Sequence, residues 1–222
     1  MLFRSSRRQL HAVYRSTPNA FVDARPDFVA ALGTAYTGWG VSWVDLDLDG
    51  NLDLVLANGA IPLLHPKQDA QHVQVLENLT GEGHRGEFAD AGAAVGLPPG
   101  QRVNGRGLAA ADYDNDGDVD VAINSVAGPL LLLRNSGATG HWLEVKADGF
   151  APGTRITAVL PSGRRLVREL HAGSSYLSSE DPRAHFGLGA ATKVSELLVR
   201  FPDGTARRLT NVAANQLVVV KR

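Results

Sequence analysis

Two acidic stretches decide the fold of this chain: Asp45-Leu-Asp-Leu-Asp-Gly-Asn-Leu-Asp53 and Asp112-Tyr-Asp-Asn-Asp-Gly-Asp-Val-Asp120. They lie 67 residues apart, and their similarity extends outward over residues 38–56 and 105–123. Similarity at a fixed period is the signature of a repeat architecture, in which each copy forms one supersecondary unit. The sequence therefore predicts two copies of one structural unit.

The repeat continues beyond the acidic stretches. Phe21-Val-Asp23 precedes the first copy as Phe88-Ala-Asp90 precedes the second, again 67 residues apart. Val75-Leu-Glu-Asn78 resembles Leu132-Leu-Arg-Asn135, but at an offset of 57 residues. The first copy therefore carries about ten extra residues, which we place at 61–70, where two prolines and a histidine indicate a surface loop.

Short apolar runs bounded by Gly, Asp or Asn flank each acidic stretch, a pattern typical of β-strands. Residues 36–135 show no convincing helical period, although 27–32 and 90–95 could each hold a helical turn. We predict one four-stranded sheet per copy, and an all-β fold with a partial β-propeller of about two blades. The strands predicted in the two copies are 41–44, 52–57, 73–76, 119–123 and 130–133.

The acidic residues have the spacing of metal ligands. Ca²⁺ takes about six to eight hard oxygen ligands in flexible geometry, and alternate carboxylates converge when the backbone wraps around one point. The glycine at position 6, Gly50 or Gly117, permits the positive φ that this wrap requires. Position 7, Asn51 or Asp118, normally contributes its backbone carbonyl. The candidate ligands at positions 1, 3, 5 and 9 of the two predicted Ca²⁺ sites are Asp45, Asp47, Asp49 and Asp53, and Asp112, Asp114, Asp116 and Asp120.

Other interpretations of the loops are weaker. EF-hand and dockerin-like loops need flanking helices and a carboxylate at position 12, where this chain has Leu56 and Ile123 in apolar, strand-like runs. A solvated Asp-rich turn would account for one such stretch, but it does not account for two stretches at equivalent positions of a repeat. Within each stretch, the carboxylates would also repel one another without an ion. Magnesium prefers fewer protein ligands and more water.

Over residues 12–136 the repeat resembles the FG-GAP or VCBS type, the calcium-loop blades also found in integrin α-chain propellers. The resemblance implies that the loop joins two strands of a blade, and that the eight Asp side chains at positions 1, 3, 5 and 9 bind a structural calcium ion in each loop. Propellers close with about four to eight blades. Because only two blades are predicted here, we expect this chain to be the C-terminal piece of a longer protein. The remaining blades of that protein would pack beside these two.

From His141 onward the acidic loops stop, and a second, small antiparallel β domain is predicted. Pro161-Ser-Gly163 and Pro202-Asp-Gly204 each indicate a hairpin turn between apolar runs. We divide the chain into residues 12–140 and 141–222 and leave 1–11 unassigned, as sequence that need not be native. The strands predicted in the second domain are 142–147, 154–160, 165–170, 196–201, 206–209 and 216–220.

Three stretches of the second domain, residues 168–189, 199–204 and 211–216, resemble the ASPIC/UnbV domain. The resemblance covers 141–222 and departs from the family at Gly153-Thr-Arg-Ile156, where Gly-Ala-Arg-Val is usual. It implies an order of domains found in secreted bacterial proteins and in cartilage acidic protein-like chains, where this domain commonly follows FG-GAP/VCBS blades. The family offers no established catalytic role.

The composition excludes several classes of function. None of the 222 residues is cysteine, which excludes disulfides, zinc–thiolate sites, iron–sulfur clusters and cysteine nucleophiles. A formal net charge of −1 gives no reason to expect nucleic-acid binding, and no run approaches the ~18 apolar residues of a membrane helix. Acidity is concentrated in residues 1–140, which carry 16 acidic and 10 basic residues.

The expected function is a calcium-binding, secreted or cell-surface module for adhesion or binding, whose partner is an extracellular protein or glycan. The N-terminus has no apolar segment of a signal peptide, so secretion depends on the inference that earlier sequence is missing. The alternatives are an extracellular hydrolase or lyase, for example polysaccharide-acting, and a purely structural repeat. A Ser–His–acid set could be drawn from seven residues that lie close in sequence, but triads are recognised by geometry, and the sequence has no Gly-x-Ser-x-Gly motif. These residues are His171, Ser174, Ser175, Ser178, Glu180, Asp181 and His185. We therefore predict no catalytic residues.

Overall fold

The computed structural model describes residues 12–24, 35–81, 87–98, 101–149 and 151–222, and every regular element in these ranges is a strand. The all-β prediction is confirmed for these ranges. The unassigned segment 1–11 and the helical turn proposed for 27–32 lie outside the described residues. The turn at 90–95 is present, because Val95 N–H donates to the Ala91 carbonyl at 2.9 Å.

We call residues 12–140 the repeat region, and its described residues contain eleven strands. The strands are β1 Tyr14–Ser16, β2 Phe21–Asp23, β3 Gly38–Val44, β4 Asp53–Asn58, β5 Gln71–His72, β6 Gln74–Asn78, β7 Phe88–Asp90, β8 Arg102–Val103, β9 Gly105–Ala111, β10 Asp120–Ser125 and β11 Leu131–Leu133. Four of them, β3, β4, β6 and β7, form one antiparallel sheet, as predicted for a blade. The second copy forms a three-stranded antiparallel sheet of β9, β10 and β11, and two further pairs are β1–β2 and β5–β8.

The sheets of the repeat region stack face to face, with β4 at the centre. Successive side chains of a strand point to opposite faces. Leu54 and Leu56 pack towards Val13 and Ala24, which flank the β1–β2 pair, while Val55 packs on the other face against β9 and β10. Both faces of β4 are covered, which explains its continuous apolar run. The stacked sheets do not close into a propeller within the described residues.

Residues 141–222, the C-terminal domain, form two sheets around one core. The strands are β12 His141–Ala147, β13 Arg155–Val159, β14 Arg165–Glu169, β15 Arg183–Gly189, β16 Lys193–Arg200, β17 Ala206–Ala213 and β18 Gln216–Val220. The larger sheet has the order β14-β13-β16-β17 and is antiparallel throughout. The smaller sheet has the order β15-β12-β18.

The prediction of an antiparallel domain is wrong at one pair, since β12 and β18 run parallel. After β17 the chain crosses to the other sheet through Ala214 and Asn215. Asn215 has a φ of 58°, and its N–H donates to the Trp142 carbonyl at 2.6 Å. This short crossover places β18 beside β12 in the same direction.

Both predicted hairpin turns are confirmed. Leu160 N–H donates to the Arg164 carbonyl at 2.9 Å around the first turn, and Phe201 N–H donates to the Thr205 carbonyl at 2.8 Å around the second. The third residue of each turn, Gly163 or Gly204, has positive φ, which glycine adopts without a Cβ penalty.

The segment 171–182 of the C-terminal domain lies across the free edges of β3 and β9. Val41 N–H of β3 donates to Ser175 Oγ at 2.9 Å, and Asp181 N–H donates to the Ala110 carbonyl of β9 at 3.3 Å. Ser42 Oγ donates to the Glu180 carboxylate. Exposed strand edges invite pairing with other chains, so this segment protects two edges while joining the domains.

Candidate metal centres

The two acidic loops connect β3 to β4 and β9 to β10 and have the same backbone shape. Gly50 and Gly117 have φ of 91° and 101°, as predicted for position 6. Position 4 also has positive φ, 64° at Leu48 and 60° at Asn115. Asparagine tolerates this conformation, whereas Leu48 adopts it while 2% exposed, with its carbonyl accepting from Gly189 N–H at 2.7 Å. The sequence analysis did not predict the positive φ at position 4, although the asparagine at Asn115 is a residue type that favours it.

Each loop brings the carboxylates of positions 1, 3 and 5 together. One oxygen from each residue lies within 4.8 Å of the others. The two clusters found among the described residues are Asp45, Asp47 and Asp49, and Asp112, Asp114 and Asp116. Three predicted ligands per loop therefore converge on a volume that one cation could occupy.

The carboxylates at position 9 bind backbone amides instead. Asp53 accepts from Leu46 N–H at 3.0 Å and from Asn78 N–H at 2.8 Å. Asp120 accepts from Tyr113 N–H at 3.1 Å and Asn135 N–H at 2.8 Å. Position 9 thus fastens the first loop to β6 and the second loop to the segment just after β11. It lies outside the three-carboxylate cluster.

The side chains at position 7 also have other partners. Asn51 Oδ1 accepts from Arg164 Nη2 at 2.7 Å, and Asn51 Nδ2 donates to the Thr80 carbonyl at 2.9 Å. Burial raises the pKa of the Asp118 carboxyl, and a hydrogen bond from the Ala138 backbone opposes the rise. The Asn51 side-chain oxygen is thus directed at the C-terminal domain, in keeping with a position that contributes its backbone carbonyl.

The first loop contains a buried carboxylate oxygen that lacks a partner. Asp45 is 1% exposed, and its Oδ2 accepts from Gly187 N–H at 3.0 Å and lies 3.6 Å from Arg168 Nη2. Its Oδ1 has no hydrogen-bond partner among the described residues. Burial raises the pKa of Asp45 to about 7, and burial does the same for Asp53. A buried, unpaired carboxylate oxygen is costly, and a cation beside Asp47 and Asp49 would remove that cost.

In the second loop, backbone amides of the loop itself bind the position-1 carboxylate. Asp112 accepts from Asp116 N–H at 3.1 Å and from Gly117 N–H at 2.9 Å. Arg134 Nη2 lies 2.7 Å from Asp114 Oδ2 and 3.2 Å from Asp116 Oδ2. Asp114 Oδ1 is left without a partner among the described residues. Both donor sets fit a hard cation, and in the second set the Arg134 guanidinium contacts two of the three carboxylates.

Both loops pack against β15 of the C-terminal domain. Arg183 donates to the Asp112 carbonyl at 2.7 Å, to Asn115 Oδ1 at 3.0 Å and to Glu144 Oε2 at 2.7 Å. His185 Nε2 lies 2.8 Å from the Gly117 carbonyl, and burial lowers the His185 pKa to about 4. Gly117 also touches the indole of Trp142, which leaves no room for a side chain.

A cavity of about 940 Å³ lies between the repeat region and the C-terminal domain. His171, Ser174 and Glu180, from the Ser–His–acid set considered above, all line it. Burial raises the pKa of Glu180, and hydrogen bonds from Ser42 and Ser174 oppose the rise. The sequence did not predict this cavity, because its walls come from both domains.

The C-terminal domain is similar to a known family. Residues 144–222 match the sequence model of the family described as ASPIC and UnbV, which confirms the resemblance inferred for that domain.

Three relatives share further similarity with the chain. Over 108 residues it is 34% identical to "Cartilage acidic protein 1" of Mus musculus and of Homo sapiens, and 35% identical to that of Xenopus tropicalis. Each alignment covers 45% of this chain, but only 17% of the mouse protein and 16% of the other two. The FG-GAP/VCBS assignment of the repeat region stays a prediction.

The described residues contain no helix that is long and apolar enough to cross a membrane.

Proposed function

We propose that this chain is part of an extracellular binding or adhesion module whose acidic loops bind calcium as a structural ion. The observation that carries the proposal is the Oδ1 atom of Asp45, a buried carboxylate oxygen without a partner among the described residues, which belongs to the cluster with Asp47 and Asp49. Three carboxylates are a hard, oxygen-only donor set of the kind that Ca²⁺ prefers.

The first loop would place this ion at the junction between the domains. Arg164 Nη1 donates to the Asp49 carbonyl at 2.8 Å, and Gly187 N–H donates to Asp45. A cation that neutralises the cluster would therefore order the surface on which β15 rests. This argues for a structural ion, and we assign the repeat region to blades of the FG-GAP/VCBS type.

The name of the relatives supports an extracellular location, because it refers to cartilage, a tissue rich in extracellular matrix. If the acidic loops bind calcium as weakly as extracellular calcium modules do, with dissociation constants of about 10⁻⁴–10⁻³ M, they would fill only in calcium-rich surroundings. We therefore propose that the chain acts in a secreted protein that recognises another protein or a glycan.

Calcium titration by calorimetry, combined with melting curves in calcium and in chelator, tests the proposal. We expect calcium binding by the wild-type chain and a higher melting temperature in calcium. Asp49→Ala should weaken binding and reduce the rise, because it removes one carboxylate of the first cluster. Asp203→Ala, which removes a half-exposed carboxylate in a turn of the C-terminal domain, should change neither. Absence of binding, or an Asp49→Ala chain that behaves as wild type, would refute the metal role of the first loop.

The cavity between the domains favours a second candidate, an extracellular hydrolase or lyase that acts on polysaccharide. Glu180, with its raised pKa, could act as an acid beside His171 and Ser174. Assays of reducing-end release from neutral and acidic polysaccharides test this candidate. Turnover that is abolished by both Glu180→Gln and His171→Ala would establish the enzyme. No turnover, or turnover that both variants retain, would contradict it.

A further inference from the structure

The two copies of the repeat differ in the number of strands that their sheets contain. β6 and β11 are equivalent strands, because each pairs with the strand that follows its acidic loop. Asn78 and Asn135, at the ends of these strands, also donate N–H to the position-9 carboxylates in the same way. β6 lies between β4 and β7, whereas β11 pairs only with β10 among the described residues. Within these residues, the second sheet therefore has three strands where the first has four.

The fourth strand of this repeat has a recurrent sequence. β2 and β7 both read Phe-x-Asp. β7 pairs antiparallel with β6, so that Phe88 lies opposite Asn78. In the same pairing, Asp90 lies opposite Leu76, and Phe88 packs against the apolar cluster that contains Leu76. A Phe-x-Asp strand is therefore what the third strand of this repeat accommodates at its outer edge.

The outer edge of β11, on the side away from β10, exposes apolar side chains. β11 consists of three leucines, of which Leu132 is 49% exposed, and Leu130 just before the strand is 65% exposed. Unpaired strand edges are templates for pairing, and proteins usually protect them with charged residues, proline or a covering segment. β11 contains neither a charged residue nor proline, and the segment 171–182 covers the opposite edge of the sheet, at β9. The outer edge of β11 is thus suited to receive another strand.

The backbone groups at this edge match those that bind β7 in the first copy. The carbonyl of Val75 in β6 accepts from Ala91 N–H, directly after β7, at 2.9 Å. Val75 is equivalent to Leu132, since their partners on β4 and β10 are equivalent positions of the repeat. By this equivalence the Leu132 carbonyl faces away from β10. Because alternate residues of a strand direct their backbone groups to the same edge, the backbone of Arg134 faces outward as well.

We propose that the outer edge of β11 is a docking site for an extended segment of another protein, which carries a Phe-x-Asp sequence and completes the sheet as its fourth strand. In strand addition, main-chain hydrogen bonds give affinity and side-chain pockets give specificity. The phenylalanine would lie opposite Asn135, on the face where Leu133 packs against the apolar core. The inference rests on the proposed binding module, for which it names a protein partner, but not on its calcium sites.

Fluorescence anisotropy with a labelled peptide of residues 85–93 of this chain, which contains the Phe-x-Asp sequence of β7, tests the proposal. The peptide should bind the wild-type chain saturably. Phe88→Ala in the peptide should weaken binding at least about tenfold, because the buried ring is lost. N-methylation of Ala89, whose N–H faces the paired strand in β7, should weaken binding about fivefold, because it removes one backbone hydrogen bond. The matched control peptide, Ala89→Ser, keeps both the ring and the N–H and should bind as the parent does.

Hydrogen exchange locates the bound peptide. Exchange at the amides of Leu132 and Arg134 should slow, while β17, an edge strand of the C-terminal domain, should stay unchanged. Absence of saturable binding, equal affinities of the parent and N-methylated peptides, or protection elsewhere than β11 would overturn the inference. Sedimentation that shows self-association of the chain with these two amides protected would also overturn it, since a second copy would then occupy the edge. None of these results alters the calcium titration, so a failure here is distinguishable from failure of the proposed calcium function.

Discussion

The C-terminal domain encloses one continuous apolar core, whereas the repeat region divides its core between the two faces of its first sheet. Phe186 and Phe201 are 0% and 2% exposed in the C-terminal domain, while Phe21 of the repeat region is 75% exposed. Among its described residues, the repeat region also buries four carboxylates: Asp45, Asp53, Asp112 and Asp120. Apolar burial stabilises one region, and the other needs its carboxylates satisfied by amides, arginines or a cation.

The largest effect is expected from a cavity in the C-terminal core. Phe186→Ala should lower the free energy of unfolding by about 3–5 kcal/mol, because a large buried side chain leaves a void that the surroundings fill poorly. Urea denaturation should give the same loss in calcium and in chelator, since this core contains no proposed ion site. Leu177→Ala, at an 89% exposed position, should stay within about 0.5 kcal/mol of wild type. A loss that depends on calcium would show that the two regions are not stabilised separately.

A smaller loss is expected where the regions meet. Arg183→Ala removes the partner of Glu144, which is 3% exposed, and the bond to the Asp112 carbonyl. Breaking a buried pair in this way should cost about 3 kcal/mol. Arg208→Ala breaks the exposed pair with Glu196 and should cost less than about 1 kcal/mol. Equal losses in urea denaturation would mean that the junction contributes no more than an ordinary surface.

The same junction should make stability depend on pH. Burial raises the pKa of Glu144 to about 7, and repulsion from Asp112 and Asp181 opposes the attraction of Arg183. Between pH 4.5 and 7 the folded state therefore holds a proton that the unfolded state has lost, so this group makes stability fall as pH rises. His185, with its pKa lowered to about 4, acts in the opposite direction between about pH 4 and 6.5.

Glu144→Gln isolates this contribution. The wild type should lose about 3 kcal/mol relative to Glu144→Gln between pH 4.5 and 7.5, because each pKa unit corresponds to about 1.4 kcal/mol. Denaturation curves at several pH values measure the difference between the two profiles. Parallel profiles would contradict the assignment, and Glu169→Gln, at an exposed position of β14, serves as the control.

The sequence best predicted the features that depend on residues close together in the chain, namely strands and turns. Alternating and continuous apolar runs predict strands such as β4 and β10 because burial follows the strand period. Asp and Gly spacing predicts the loops because only glycine adopts the required φ freely, as Gly50 and Gly117 do. Three of the four predicted carboxylate ligands in each loop do converge.

What the sequence could not predict depends on contacts between distant segments. One partner of Asp53, the N–H of Asn78, lies on the third strand of the sheet. Nothing in the loop sequence therefore indicates that Asp53 binds backbone amides instead of joining the cluster. Arg164 and Arg183 contact the acidic loops only because the fold packs the C-terminal domain against the repeat region, and nothing in the sequence near either arginine indicates these contacts. Arg134 likewise lies outside the nine-residue motif, and its contacts with Asp114 and Asp116 are seen only in the structure.

The smallest expected effect concerns the segment that joins the two regions along the strand edges. Ser175→Ala removes the acceptor of the Val41 N–H in β3, and one such bond should be worth about 1 kcal/mol. Ser162→Ala, in an exposed hairpin turn where the serine makes only a 3.4 Å contact, should cost less. Because the edge of β3 would lose cover, hydrogen exchange at Val41 should accelerate in Ser175→Ala while exchange in β16 stays unchanged. Unaltered exchange at Val41 would mean that the segment merely lies beside the edge, and that the repeat region needs no protection from the C-terminal domain there.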